Sequence, residues 1–147
     1  MSMTMKNCEI LLVEDSPGDV MLVREAMSAL EVSSHLHVVG DGAEALRFLG
    51  GEGEYVDKRS PDMILLDLNL PIMDGKEALR NIKAHPEWRK IPVAILSTSD
   101  ADADIDESYD LSASCYIVKP MDMESFHGIV RAIDDFWLSV VRFPPKH

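Results

Sequence analysis

Apolar residues in this chain gather in five short runs, separated by longer stretches where they recur every three or four positions. The runs Glu9 to Val13, His35 to Val39, Met63 to Leu66, Pro92 to Leu96 and Cys115 to Val118 read as strands. The third and fourth are almost purely apolar, the pattern of central strands covered on both faces. Strands that alternate with helical segments predict an α/β domain, a parallel sheet with helices on both sides.

The first helix opens at Ser16-Pro17-Gly18-Asp19, where a capping serine and an early proline both suit a helix start, and runs to about Leu30. Val20, Val23, Met27 and Leu30 form its apolar stripe. A second helix, Ala43 to Leu49, stops at Gly50-Gly51, and the stretch from Gly50 to Pro61 reads as a polar exposed loop. A third follows Pro71-Ile72-Met73-Asp74-Gly75 and ends near His85-Pro86. The fourth, Asp102 to Leu111, is acidic and weakly amphipathic, which predicts a loosely packed helix. The last, Met123 to Val141, carries Phe126, Ile129, Val130, Ile133, Phe136, Trp137, Val140 and Val141, more apolar surface than one narrow stripe.

At 147 residues, 46% hydrophobic and 27% charged, the chain suits one globular domain. The expected division is a mobile start over residues 1–7, a folded domain over 8–142 and a tail over 143–147, with no output domain attached. A formal charge of -12 argues against nucleic acid held on a basic face and leaves proteins or cations as partners. No apolar run approaches the roughly 20 residues of a membrane helix, and no secretory signal is evident, so the expected compartment is the cytoplasm. Cys8 and Cys115 fall in different strands without metal-ligand spacing and are not read as a disulfide. The five histidines, His35, His37, His85, His127 and His147, are scattered and are not read as a metal or phosphorelay set.

In open parallel sheets, sites form beyond the carboxyl ends of the strands. Glu14 and Asp15 follow the first strand, Asp67 the third, Ser97 the fourth and Lys119 the fifth. Alone, the Glu14-Asp15 pair reads equally well as a polar strand end with a capping role. Joined by Asp67 and Lys119 it becomes a carboxylate cluster, unfavourable unless a cation neutralises it. Mg²⁺, or Mn²⁺ in its place, fits oxygen donors of this kind, with Asp15 and Asp67 as direct ligands.

The segments Leu11-Leu12-Val13-Glu14-Asp15, Leu65-Leu66-Asp67-Leu68-Asn69-Leu70-Pro71-Ile72-Met73-Asp74-Gly75, Leu96-Ser97-Thr98 and Tyr116-Ile117-Val118-Lys119-Pro120 together resemble response-regulator receiver domains, in order and over roughly Cys8 to Val141. The resemblance implies a doubly wound, flavodoxin-like sheet of strand order 2-1-3-4-5. It implies that Asp67 is the phosphoacceptor, that Asp15, Asp67 and the Asn69 backbone carbonyl bind Mg²⁺, and that Glu14 does so through water. Lys119 would offset charge on the phosphoryl oxygens, as suits phosphoryl transfer to a carboxylate nucleophile. Ser97 would bond a phosphoryl oxygen and draw in its loop, and Tyr116 would then swing from an exposed to a buried position and reshape the face of the fourth helix, fifth strand and fifth helix. Asn69 and Ser99 occupy places that influence acyl-phosphate lifetime in the family. The family also uses a cis Lys-Pro bond, which makes Lys119-Pro120 a candidate against an ordinary trans turn. Gly75 is expected to permit a tight turn.

Glu14-Asp15-Ser16-Pro17-Gly18-Asp19, Gly51-Glu52-Gly53-Glu54-Tyr55 and Phe136-Trp137-Leu138-Ser139-Val140-Val141 further resemble the small stand-alone regulators paired with phytochrome-type histidine kinases. Such regulators are often homodimeric, which would place Phe136, Trp137 and Phe143 at a contact between C-terminal helices; that these aromatics only cap the core stays open. The expected function is therefore a single-domain regulator that accepts a phosphoryl group from a histidine kinase and is not a turnover enzyme. A flavodoxin would need a hydroxyl- and glycine-rich phosphate loop where this chain is acidic. A haloacid-dehalogenase-type phosphatase would need a second carboxylate where Asn69 stands. The remaining alternative is a receiver-like binding module that is never phosphorylated.

Overall fold

The computed structural model describes residues 8–28, 34–120 and 122–133. Strands and helices alternate as β1 (Cys8–Val13), α1 (Pro17–Ser28), β2 (Ser34–Val39), α2 (Gly42–Leu49), β3 (Met63–Leu66), α3 (Gly75–Ala84), β4 (Val93–Ser97), α4 (Asp102–Asp110), β5 (Cys115–Val118) and α5 (Met123–Ile133). The sheet is five-stranded and parallel, in the order β2-β1-β3-β4-β5. This is the doubly wound α/β architecture expected from the chain.

Neighbouring residues of a strand face opposite sides of the sheet, and this alternation sorts the apolar runs into two cores. Leu11, Val13, Ile64, Leu66, Val93 and Ile95 pack with Ala45 and Phe48 of α2 and Ala78, Leu79 and Ile82 of α3. Ile10, Leu12, Met63, Leu65, Ala94 and Leu96 pack with Val23, Ala26 and Met27 of α1 and Phe126, Val130 and Ile133 of α5. Val20, Val23 and Met27 form the predicted stripe of α1, while Leu30 lies outside the described residues. So do residues 1–7, and with them Phe136, Trp137, Val140, Val141 and Phe143.

Two elements depart from expectation. The loop after α2 contains a 3₁₀ turn, Gly53–Tyr55, because the Tyr55 ring packs on Phe48 with centroids 5.1 Å apart and draws the backbone down. The fourth strand begins at Val93 and includes Ser97. Pro92 has no N–H to enter the ladder, whereas Ser97 pairs with Val118 of β5.

A charge inside β1 has its own solution. Glu9 is 3% exposed, and its carboxylate meets His35 Nδ1 at 2.8 Å and His37 Nε2 at 2.7 Å. The β1–β2 register sets Glu9 beside His35. Burial works to raise the Glu9 pKa, but the two imidazoles outweigh it and hold the carboxyl below its ordinary range. Two of the five scattered histidines thus share one structural carboxylate.

Candidate functional site

The strand order reverses between β1 and β3, which opens a crevice at their carboxyl ends. The register Val13↔Leu66 places the residues just beyond these strands side by side. Carboxylate oxygens of Glu14, Asp15 and Asp67 all lie within 4.8 Å of one another, with Glu14 and Asp67 buried and Asp15 exposed. The cluster therefore reaches solvent through Asp15.

Asp67 is held from both ends. Its N–H donates to the Val13 carbonyl at 3.1 Å, and its Oδ1 accepts from the Asn69 N–H at 3.1 Å. Oδ2 faces the Lys119 ammonium at 3.4 Å. Asn69 itself is exposed at the start of the β3–α3 loop. That loop is closed at its far end, where the Gly75 N–H donates to the Leu68 carbonyl at 2.9 Å. A Cβ on Gly75 would stand 2.2 Å from the Asp67 carbonyl oxygen, so the glycine is required by close approach to the backbone of Asp67. Gly42, at the start of α2, clasps the same loop: its N–H donates to the Met73 carbonyl at 3.1 Å, and a Cβ there would lie 2.6 Å from that oxygen. Between the two anchors, Ile72 adopts φ 67° and is 86% exposed, an uncommon conformation for a β-branched residue.

Lys119 projects from the end of β5, its N–H bonded to the Ser97 carbonyl at 2.7 Å. The side chain is almost fully buried, and its Nζ lies 2.6 Å from Glu14 and 2.8 Å from Asp19. Burial opposes the charge on Lys119, but the hydrogen bonds to Asp19 and Glu14 prevail and raise its pKa above the ordinary lysine value. Burial raises the Glu14 carboxyl, with the charge of Asp67 adding to the effect, against the opposing pull of Lys119.

Asp19 is a functional neighbour that the sequence reading did not single out. Ser16 caps α1, accepting from the Asp19 N–H at 3.3 Å, and so sets Asp19 in the first turn facing Lys119. It belongs to the Ser16-Pro17-Gly18-Asp19 helix start, but its partner lies 100 residues away, and no local periodicity links the two.

Ser97 is fully buried, and its Oγ accepts from the Ser99 N–H at 3.1 Å. Tyr116 is half-buried and already turned inward, donating its hydroxyl to the Ser99 carbonyl at 2.8 Å. Tyr109 covers it from outside, its hydroxyl accepting from the Tyr116 N–H at 3.2 Å. The Lys119–Pro120 bond is trans, the commoner isomer even before proline, so the cis alternative does not hold.

Glu14, Asp15, Asp67, Asn69, Ser97 and Lys119 thus lie at or just beyond the carboxyl ends of β1, β3, β4 and β5, while Tyr116 lies within β5 opposite Ile95. Glu14, Asp15, Asp67 and Lys119 form one cluster, and Ser97 and Tyr116 belong to an adjoining network through Ser99. The donors are hard oxygens, partly open to solvent, which suits a divalent ion that keeps several waters. Among the described residues no helix is long and apolar enough to cross a membrane.

Comparison with known proteins agrees with this geometry. Response regulator Rcp1 of Synechocystis sp. is 42% identical over 135 residues, 92% of each chain. The crystal structure of the phosphorylated cyanobacterial phytochrome response regulator RcpA superposes with a TM-score of 0.91 at 44% identity, covering 95% of this chain and 100% of that one. The Mn²⁺-bound form of Rcp1 does so with a TM-score of 0.89 at 40% identity, over 94% and 99%. Residues 10–131 match the response regulator receiver domain model, and the chain belongs to that family.

Proposed function

We propose that Asp67 receives a phosphoryl group from a phosphohistidine of a histidine kinase, and that the protein passes the signal on through the surface around α4 and β5. The observation that supports this best is the pairing of a buried carboxylate, fixed through Oδ1 by the Asn69 N–H, with a buried ammonium 3.4 Å from its Oδ2. In the transfer, an Asp67 oxygen bonds to phosphorus as the P–N bond to the donor imidazole breaks; the electron pair stays on that nitrogen, and the ring, already protonated on its other nitrogen, leaves as neutral imidazole. Lys119 offsets charge gathering on the phosphoryl oxygens, and its restraint by Glu14 and Asp19 means no large motion is needed to bring it there. A bound Mg²⁺ or Mn²⁺ would supply further charge neutralisation. Asp15, Asp67 and the Asn69 carbonyl are its proposed ligands, with Glu14 acting through water.

Ser97 is proposed to bond a phosphoryl oxygen, with Tyr116 reporting the loop position that results. RcpA is a phytochrome response regulator by name and lies near this chain in sequence and structure, which supports a phytochrome-type kinase as the donor, acting in the cytoplasm. Self-association through the C-terminal helix belongs to the same reading, and size-exclusion with light scattering would test it.

The decisive experiment is the intact mass after incubation with a small acyl phosphate, with and without Mg²⁺, beside Asp67→Asn. One phosphoryl adduct, dependent on Mg²⁺ and absent from the variant, is the expected result. No adduct under any donor, including a purified phosphorylated kinase, would favour a passive binding module.

A further inference from the structure

The Ser99 region is tied to a helix that takes no part in the acceptor cluster. Lys76 of α3 reaches across to α4, with Nζ 2.6 Å from Asp104 Oδ1 and 2.7 Å from Glu107 Oε1. The second oxygen of Asp104 accepts the Ser99 hydroxyl at 2.6 Å. Ser99 therefore uses every polar group it has: N–H to Ser97, carbonyl to Tyr116, hydroxyl to Asp104. Short bonds of this kind to charged partners are among the stronger ones available at a protein surface. Because they converge on one residue, each one restrains the others.

Apart from the Tyr109 hydroxyl on the Tyr116 N–H, the rest of α4 offers little else to hold that segment. Among its residues only Ser108 is buried, and its first residues lack a side-chain cap. Asp102, Asp104, Asp106, Glu107 and Asp110 repel one another, and the single cation bonded to them among the described residues is Lys76. The position of the β4–α4 loop therefore depends on a polar tether anchored in α3.

We infer that Lys76 and Asp104 are positioning residues for the acceptor site: by gripping Ser99 they keep the β4–α4 loop where Tyr116 sits inward and Ser97 faces its phosphoryl-binding place. The consequence for phosphoryl binding rests on Asp67 being the acceptor. The seating of Tyr116 does not, and it is measured without any donor. A loosened tether lowers the fraction of molecules with the loop in place, and apparent affinity for a phosphoryl mimic falls by that fraction.

The test labels the full chain with 3-fluorotyrosine and follows the Tyr116 resonance, assigned by Tyr116→Phe, in the parent, Lys76→Gln, Asp104→Asn and Lys76→Arg. The resonance is expected to move toward the solvent-exposed position in Lys76→Gln and Asp104→Asn and to return in Lys76→Arg. The double variant should move it no further than either single one, because both act through one tether. Beryllium fluoride with Mg²⁺, a mimic of the bound phosphoryl group, should bind the first two variants roughly threefold to tenfold more weakly than the parent. An unmoved Tyr116 resonance overturns the tether, and a moved resonance with unchanged mimic affinity overturns its positioning role. Failure of the parent to bind the mimic would instead count against Asp67 as acceptor, while the Tyr116 signal would still decide whether the tether holds.

Discussion

Helices α3 and α4 are neighbours of nearly equal length, and they are held by opposite means. In α3, Gly75, Ala78, Leu79 and Ile82 are buried, Asp74 caps the first turn by accepting from the Glu77 N–H, and Lys83 donates to the carbonyls of Arg89 and Ile91 beyond the other end. In α4, Ser108 alone is buried, Ala101 offers no cap, and the fastening is polar, through the tether to Lys76 and Ser99 and the Tyr109 hydroxyl on the Tyr116 N–H. The lesson is a division of labour. The helix that follows Asp67 is fastened by water-excluding contacts, whereas α4 is fastened by polar bonds near the surface, for which water competes.

The contrast is most severely tested by truncation. Leu79→Ala, at a fully buried site, should destabilise the protein by about 2–5 kcal/mol in urea unfolding, whereas Ile105→Ala on α4 should cost less than about 1 kcal/mol. Equal losses would erase the distinction. Next in size is Gly75→Ala, where the new methyl group would collide with the Asp67 carbonyl; about 1–3 kcal/mol of stability should go, and phosphoryl capture should fall with it. A surviving acceptor of unchanged stability would mean that the backbone yields at a point the geometry presents as fixed.

Capping should move the two helices toward each other. Asp74→Ala should cost about 1 kcal/mol, and Ala101→Ser, which supplies α4 with the cap it lacks, should gain about 0.5 kcal/mol or more. Thermal unfolding of both variants gives the comparison directly. The smallest effect is on local opening. The hydrogen bonds from Lys76 and Ser99 hold the Asp104 carboxyl below its ordinary range, and those to Asp104 and Glu107 hold the Lys76 ammonium above its own. A lowered carboxyl contributes above its unfolded pKa and loses that contribution as pH falls through the folded value. A raised ammonium contributes fully below its unfolded pKa and loses it as pH rises through the folded one. Hydrogen-exchange protection of α4, corrected for intrinsic rates, should therefore be flat at intermediate pH and fall at the acid end, starting as pH reaches the ordinary aspartate value and continuing until it passes the lowered one, with α3 unchanged.

Much of this arrangement was legible in the chain because it depends on patterns that local sequence carries. Runs such as Met63 to Leu66 announce buried strands, and the residues following such runs must gather at one sheet edge, so Glu14, Asp15, Asp67 and Lys119 could be brought together before any geometry was known. The weak amphipathicity of α4 foretold its sparse packing. What escaped were contacts whose partners are distant in sequence and share no periodicity. Asp19 meets Lys119, and Lys76 meets Asp104, only because the helices lie where the sheet puts them. Glu9 with His35 and His37 was nearer to being readable, since adjacent parallel strands place residues of matching parity on one face. Gly75 was recognised as structural, but for a turn; its value lies in an absent side chain beside Asp67.

The clasped loop between Asp67 and Gly75 also matters for how the chain can vary. Its ends are fastened at Leu68 and Met73, while the Ile72 side chain stands out in solvent. The segment behaves as a cassette whose tip can be rewritten while its hinges cannot. Exchange of the tip alters what the rim of the site presents to a visitor and leaves the Asp67 carboxylate where the sheet put it. A lineage, or an engineer, can retune recognition there without touching the chemistry a few residues away.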